Sequence, residues 1–317
     1  MAVEMRWVAA GLLAMALLAG CASPPKDTGP VTPDKGPQAP LVTTPPTVTP
    51  VVPAAPKVLP RVGLALGGGA ARGFAHVGVI QVLEEAGIRP SLVAGTSAGS
   101  LVAAIYASGK NGSQLQHVAE NMEEATIADW TLPLFNRGML RGDALARYVN
   151  SQVGGRSIES LMLPLGIVAT DLATGSSMLF QRGDTGTAVR ASSAVPAVFQ
   201  PVRISGRDYV DGGLVSPVPV RAARQMGAEL VVAVDISSPP EGNTSGSTLD
   251  VLLQTFTIMS KSINFFELKE ADVVVRPALV GVSSADFSAR KRSIEAGRQA
   301  MLQMLPSLKA AMAAKSH

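Results

Sequence analysis

Apolar residues are gathered in short continuous runs at Val62–Leu66, Leu92–Gly95, Leu165–Thr170, Met178–Gln181, Leu230–Ile236 and Asp272–Arg276. Several are unbroken rather than alternating, the pattern of strands covered on both faces. Between them, apolar positions recur at helical spacing. Those patterns predict helices at Ala71–Ala86, Ala98–Ser108, Gly142–Val153, Thr185–Ala194, Pro219–Met226, Thr248–Asn264 and Arg290–Ala314. Strand and helix alternate, which predicts an α/β layered fold with a mainly parallel sheet. In such folds, sites form at the carboxyl ends of strands.

The first sixty residues follow a different pattern. Met1–Arg6 is polar and its two charged side chains, Glu4 and Arg6, cancel. Val8–Leu18 is an apolar run of 11 residues. That is too short to span a bilayer as a mature helix and has the length of a signal-peptide core. It ends in Leu18-Ala19-Gly20-Cys21, which resembles the lipobox of bacterial lipoproteins. There, small residues admit the peptidase and the Cys thiol receives diacylglycerol. Residues 1–20 are therefore expected to be a signal peptide and Cys21 a lipidation site. From Ala22 to Pro60, 12 of 39 residues are Pro and none is aromatic. Such a segment buries too little apolar surface to offset its ordering entropy. Residues 21–60 read as a lipidated tether, able to reach on the order of 120 Å if fully polyproline II. Residues 61–317 are then the folded domain, long enough to bury one substantial core.

Composition narrows the function. The single Cys excludes an internal disulfide and a cysteine-rich zinc site. The net charge of +3 over 317 residues, with no block of like charges and 4% aromatic residues, argues against a nucleic-acid surface. The tether carries +1 of that charge and the domain +2.

Three motifs carry chemistry. Gly67-Gly68-Gly69-Ala70-Ala71-Arg72-Gly73 follows an apolar strand and opens a helix. Glycines let the backbone approach a ligand, and a helix amino terminus offers unpaired N–H groups. A dinucleotide fingerprint would need an acid at the end of the second strand, yet Ala94-Gly95-Thr96-Ser97 stands there. An oxyanion hole fits better. Gly95-Thr96-Ser97-Ala98-Gly99 is a Gly-x-Ser-x-Gly sequence between a strand and a helix, the context of a strained, exposed nucleophile. Its base is not evidently a His. His76 lies on a helix with Phe74, Val77 and Ile80 and reads as packed; His117 reads as surface; His317 is terminal and expected to be disordered. Asp208-Tyr209-Val210-Asp211-Gly212-Gly213 supplies a carboxylate followed by two glycines. On spacing alone Asp211 is either base or turn residue, and Asp208, Asp171 and Asp235 are rivals; Asp184 reads as a turn acid.

Taken in order, these motifs resemble the patatin-like phospholipase family. The resemblance runs from about Val62 to about Met304. It includes Arg137-Gly138-Met139-Leu140-Arg141-Gly142, Ala169-Thr170-Asp171-Leu172, Ala191-Ser192-Ser193-Ala194-Val195-Pro196 and Ser284-Ala285-Asp286-Phe287. It implies a three-layer α/β/α fold and a lipid acyl hydrolase of phospholipase A, lysophospholipase or esterase type. It implies Ser97 as nucleophile and Asp211 as base, with Gly67, Gly68, Gly69 and Arg72 at the oxyanion hole. Ala70 stands where the family often has glycine. No metal or other cofactor is implied, and the partner is a lipid ester.

Two other functions stay open: a lipid- or protein-binding module that has lost catalysis, and an esterase or protease acting on small molecules. Cys21 places the domain at a membrane of the bacterial cell envelope, and Ala22 after it favours the outer membrane, facing the periplasm. The stretch Gly109–Phe135 is either a lid over the site or scaffold helix.

Overall fold

The computed structural model describes residues 58–123, 138–239 and 246–317, with the isolated Gly29. The expected signal peptide, Cys21 and almost all of the Pro-rich tether lie outside the described residues.

The first strand, β1 (Val62–Leu66), is buried at all five positions. A 3-10 turn, Ala70–Phe74, leads into α1 (Ala75–Glu85). There follow β2 (Leu92–Thr96), α2 (Ala98–Ala107) and α3 (Gly112–Asn121). Next come β3 (Gly138–Leu140), α4 (Asp143–Gln152), β4 (Leu165–Asp171), β5 (Ser177–Phe180) and α5 (Thr185–Ser192). Three short strands, β6 (Ala197–Phe199), β7 (Val202–Ile204) and β8 (Arg207–Asp211), precede α6 (Val220–Gln225) and β9 (Leu230–Val234). The chain closes with α7 (Thr248–Glu267), β10 (Val273–Val275) and α8 (Arg290–Lys315).

Strands β10, β9, β1, β2 and β4 pair side by side and parallel. The other half is antiparallel: β5 and β8 both pair with β4, and β7 pairs with β8. Alternate residues of the central strands supply two separate cores. Leu64, Leu66, Val93, Ile167, Val232 and Val234 pack on one face with α1, α2 and α8. Ala65, Leu92, Ala94, Val168, Val231 and Ala233 pack on the other with α6. Strands covered on both faces explain why the apolar runs are continuous. The layers are α/β/α, as expected.

Helix α3 begins with a capping box, Asn111 accepting from the Gln114 N–H. It buries Leu115 and Ala119, so the first half of the stretch weighed as a lid is scaffold helix. Residues 124–137 lie outside the described residues. The last residue is also tied down: His317 and Val58 exchange two backbone hydrogen bonds, of 2.7 and 3.3 Å, against the expected disorder. Helix α7 has exposed apolar side chains, among them Leu252, Met259, Phe265 and Phe266. It is held by the Ser216 hydroxyl, which donates to Glu267 at 2.7 Å, and by the Ser260 hydroxyl, which donates to the Gly213 carbonyl at 3.4 Å.

Helices α1 and α8 touch backbone to backbone. A Cβ at Gly78 would lie 1.9 Å from the Ile294 carbonyl oxygen, and one at Gly297 would lie 1.9 Å from that of Ala75. Neither helix can accommodate even a methyl group without separating. Gly78→Ala is therefore expected to destabilise the domain by about 3 kcal/mol. In thermal unfolding that is a fall in Tm of roughly 6–12 °C; an unchanged Tm would contradict the close contact.

Candidate active site

The sheet itself brings the site together. β2 pairs with residues 165–168 of β4, ending at Thr96 beside Val168. β8 pairs with residues 169–171 of β4, with Asp211 beside Ala169. β5 pairs with Ile167–Thr170 and so overlaps both stretches. It occupies one edge of β4 across that length, which puts β2 and β8 on the same opposite edge. They run toward each other and meet end to end. Ser97 leaves the end of β2 where Asp211 closes β8.

Two glycines make this meeting possible. A Cβ at Gly99 would lie 2.1 Å from the Leu66 carbonyl oxygen. One at Gly212 would lie 2.2 Å from the Val168 carbonyl oxygen. The turn between β2 and α2 holds Ser97 at φ 52° and ψ −124°, a strained conformation for a residue with a Cβ. The strain is over-determined by its neighbours. The Ser97 N–H donates to the Ser192 hydroxyl oxygen at 2.8 Å, and the Ser192 hydroxyl donates to the Val168 carbonyl at 2.5 Å. The Ser97 carbonyl accepts from the Ser100 N–H at 2.8 Å and hydroxyl at 2.6 Å.

Asp211 is the last residue of β8 and is buried. Its N–H donates to the Ala194 carbonyl at 3.0 Å, and its carbonyl accepts from the Thr170 hydroxyl at 2.8 Å. One carboxyl oxygen, Oδ1, accepts from the Gly213 N–H at 2.7 Å. The other, Oδ2, is buried and, among the described residues, has no hydrogen-bond partner. Burial pushes the carboxyl up to about 6, and the Gly213 N–H and the nearby Ser97 hydroxyl only partly oppose this.

The rival acids are engaged elsewhere. Asp171 accepts from the Ala173 and Thr174 amides and pairs with Arg207 at 2.6 Å, which holds its carboxyl below the usual range. Asp235 accepts from the Ser237 N–H and hydroxyl, Asp208 pairs with Arg203 at 3.6 Å, and Asp184 caps α5 through the Thr187 N–H. His76 is fully buried and donates from Nε2 to the Gly67 carbonyl at 2.8 Å. Burial pushes its imidazole down to about 4, so it is neutral near pH 7. It supports the glycine loop from below, while His117 is exposed on α3.

The glycine loop departs from expectation in detail. The Gly67 N–H donates to the Val234 carbonyl at 3.1 Å and the Gly68 N–H to that of Pro217 at 2.9 Å. Those two amides hold the loop onto its neighbours, so they do not face a ligand. Among the described residues, no acceptor meets the N–H of Gly69 or Ala70. Gly68 sits against the serine, since a Cβ there would lie 3.1 Å from Ser97 Cβ. Ala70 adopts φ 48°, the left-handed region that favours glycine. Arg72 is not at the oxyanion position either. Its buried guanidinium donates to the carbonyls of Ile236, Ser237 and Val282 and to the Ser238 hydroxyl. It clamps three loops together beneath the glycines. Nothing in the sequence marks Ser192, which holds Ser97, beyond its place in the Ala191–Pro196 motif.

Among the described residues, no cluster of His, Cys, Asp and Glu could hold a metal ion. The class defined by this fold and site is a three-layer α/β/α domain that sets a strained serine against a buried carboxylate. The family model for patatin-like phospholipase matches residues 64–224. This chain belongs to the patatin-like phospholipase family. An uncharacterized NTE family protein of Mycobacterium tuberculosis is 37% identical over 204 residues, covering 64% of this chain and 56% of that protein. Human patatin-like phospholipase domain-containing protein 6 is 32% identical over 231 residues, 70% of this chain and 16% of that protein. The chain thus spans about half the length of the mycobacterial relative and a smaller part of the human one. VipD from Legionella pneumophila shares the fold, with a TM-score of 0.56 and 16% identity over 79% of this chain and 68% of that one.

The buried Asp211 carboxyl links the site to stability. Its folded pKa, about 6, lies above the ordinary 3.8. The unfolded chain therefore releases this proton first as pH rises. The stability contributed by the neutral carboxyl is complete below pH 3.8 and is lost as pH climbs through about 6. Asp211→Asn keeps the group neutral and is expected to be more stable than the wild type at pH 8, by on the order of 2–3 kcal/mol. Urea unfolding should show that gain vanish at pH 4. A variant no more stable than wild type at pH 8 would contradict a desolvated carboxylate.

Proposed function

We propose that the chain is a serine hydrolase of lipid esters in which Ser97 is the nucleophile and Asp211 the base. The observation that carries this reading is the end-to-end meeting of β2 and β8, which sets the strained Ser97 against a buried carboxyl. An ordinary carboxylate is too weak a base to draw a proton from serine. Burial raises Asp211 to about 6, which leaves it mostly ionised at pH 7 and strengthens it as a base.

In the first step Asp211 takes the Ser97 hydroxyl proton as Oγ bonds to the ester carbonyl carbon. The carbonyl oxygen becomes an oxyanion, held by the unpaired N–H groups of Gly69 and Ala70. Losing one such donor typically costs about 3–4 kcal/mol. Collapse breaks the bond to the alcohol, which leaves with the proton from Asp211. In the second step Asp211 takes a proton from water as that water attacks the acyl-serine. The tetrahedral intermediate then releases the carboxylic acid, and the proton returns to Ser97. His76 and Arg72 position the loop and take no part in proton transfer.

Ser97→Ala is expected to abolish hydrolysis of phospholipids and p-nitrophenyl esters while unfolding at an unchanged Tm. A fluorophosphonate probe should label the wild type and not this variant. Full activity in folded Ser97→Ala would sink the assignment, and an unlabelled, inactive wild type would favour a binding module. The wild-type kcat/KM should fall below pH about 6 as Asp211 is protonated.

The setting we propose is a lipid-anchored domain: residues 1–20 a cleaved signal peptide, Cys21 acylated, residues 21–60 a tether and residues 61–317 the hydrolase. The lipobox and the run of prolines support it, and Ala22 after the Cys supports an outer-membrane, periplasm-facing position. Radiolabelled palmitate should enter the wild type and not Cys21→Ala; incorporation by both would refute the anchor.

A further inference from the structure

Helix α7 buries polar residues and exposes apolar ones. Its buried residues are Asn264 and Glu267, which share with Ser260 the side that faces the domain. The opposite side carries two exposed rows, Val251, Ile258 and Phe265 beside Leu252, Met259 and Phe266, each repeating every seven residues. At roughly 100° per residue the rows cover an arc of about 140°. Phe265 and Phe266 are 63% and 62% exposed. Thr255 and Ser262 fall within the same arc, but their hydroxyls donate to the Val251 and Ile258 carbonyls one turn back, at 2.8 and 3.2 Å. Those donors are satisfied inside the helix and need no water. Lys261 is the single charged residue from Val251 to Phe266. Just past the helix, the Lys269 ammonium lies over the Phe265 ring, 4.0 Å from its centroid. The neighbouring acids are engaged: Asp250 closes the capping box with Ser247, and Glu270 pairs with Arg221.

We propose that this face of α7 docks on an anionic lipid surface, lying flat at the headgroup boundary with the serine site beside it. The docking stands apart from the hydrolase reading above; its effect on hydrolysis rests on that reading. A broad apolar face in water is a cost that a second apolar phase removes. Three features select lipid as that phase. The arc is wider than the narrow seam that one partner helix covers. No acid lies on it, and Lys261 and Lys269 at its margins suit negatively charged headgroups. The pair of exposed rings with an ammonium over one of them matches a membrane boundary, where rings lie at headgroup level and the amine reaches outward. With its other side on the protein, α7 can lie in such a surface but not pass through it. Among the described residues no helix is long and apolar enough to cross a membrane. The position of α7 suits the chemistry. Ser260 donates to the carbonyl of Gly213, and the N–H of Gly213 holds Asp211 Oδ1. The docked helix therefore borders the turn that carries the proposed base.

The test uses the full chain with Cys21→Ala, so that no lipid on Cys21 holds it to a membrane. In the binding arm Ser97→Ala is added, so that no lipid is consumed. Cys21 is the only cysteine, so Met259→Cys then places a single environment-sensitive fluorophore on the face. Gln299→Cys places one on α8, which packs on the other face of the sheet. Vesicles of phosphatidylethanolamine and phosphatidylglycerol should shift the emission of the first label to the blue and leave the second unchanged. A label at 259 that does not respond, or that shifts no more than the one at 299, overturns the docking. So does a shift at 259 without vesicles, accompanied by a dimer in light scattering, since a second copy then covers the face. In the hydrolysis arm Ser97 is intact. Met259→Glu and Phe266→Glu should each cut hydrolysis of vesicle phospholipid by about tenfold or more and leave p-nitrophenyl acetate unchanged. Equal losses on both substrates at an unchanged Tm contradict a docking role. If the chain with Ser97 hydrolyses neither substrate yet the label at 259 responds, the hydrolase reading fails and the docking stands. If it hydrolyses both and neither Glu variant slows vesicle hydrolysis, the docking fails and the hydrolase reading stands.

Discussion

The site depends on one edge of one strand. β4 gives the same edge first to β2 and then to β8, because β5 already holds the other edge across the junction of the two stretches. Two strands arriving from opposite directions must therefore stop against each other. The residues at their ends, Ser97 and Asp211, have nowhere to be except face to face. No long-range salt bridge or metal is needed to assemble the pair, since backbone pairing does it. The parallel half of the sheet aims a helix amino terminus at the meeting point, and the antiparallel half delivers the acid.

Close approach is the condition for this arrangement. Gly99 and Gly212 each press against a neighbouring carbonyl at distances a Cβ cannot occupy. The glycines around Ser97 and Asp211 are thus packing requirements that let the two strand ends approach each other. The same crowding removes water from Asp211. Desolvation that weakens the fold at neutral pH makes the carboxyl a stronger base. In the proposed role as base, Asp211 sets stability against reactivity.

A second set of residues holds Ser97 and the glycine loop in place. Ser192 accepts from the Ser97 N–H and donates its hydroxyl to the Val168 carbonyl, tying the strained turn to β4 and α5. Neutral His76 donates to Gly67, and Arg72 binds four acceptors in the loops beneath. The carbonyls of Val234 and Pro217 take up the amides of Gly67 and Gly68, and among the described residues those of Gly69 and Ala70 meet no acceptor. Which amides are available is decided by what the loop packs against, not by the number of glycines in it.

The central strands were legible in the sequence because their coverage on both faces is written as unbroken apolar runs, Val62–Leu66 and Leu230–Val234 among them. The serine turn was legible too, since only small residues at fixed spacing can make a strand reverse into a helix. The short strands β3, β6, β7 and β8 were not predicted. Three to five residues carry too little periodicity, and β8 is a strand only because β4 offers it an edge. For the same reason Asp211 could not be told from a turn acid by spacing. Its depth, its Gly213 hydrogen bond and its raised pKa all come from neighbours distant in the chain. The order of residues alone determined that a serine would stand strained at a strand end and that glycines would surround it. Tertiary structure decided which carboxylate faces that serine and which amides stay unpaired, because burial and hydrogen-bond partners are properties of the packed sheet and not of local sequence.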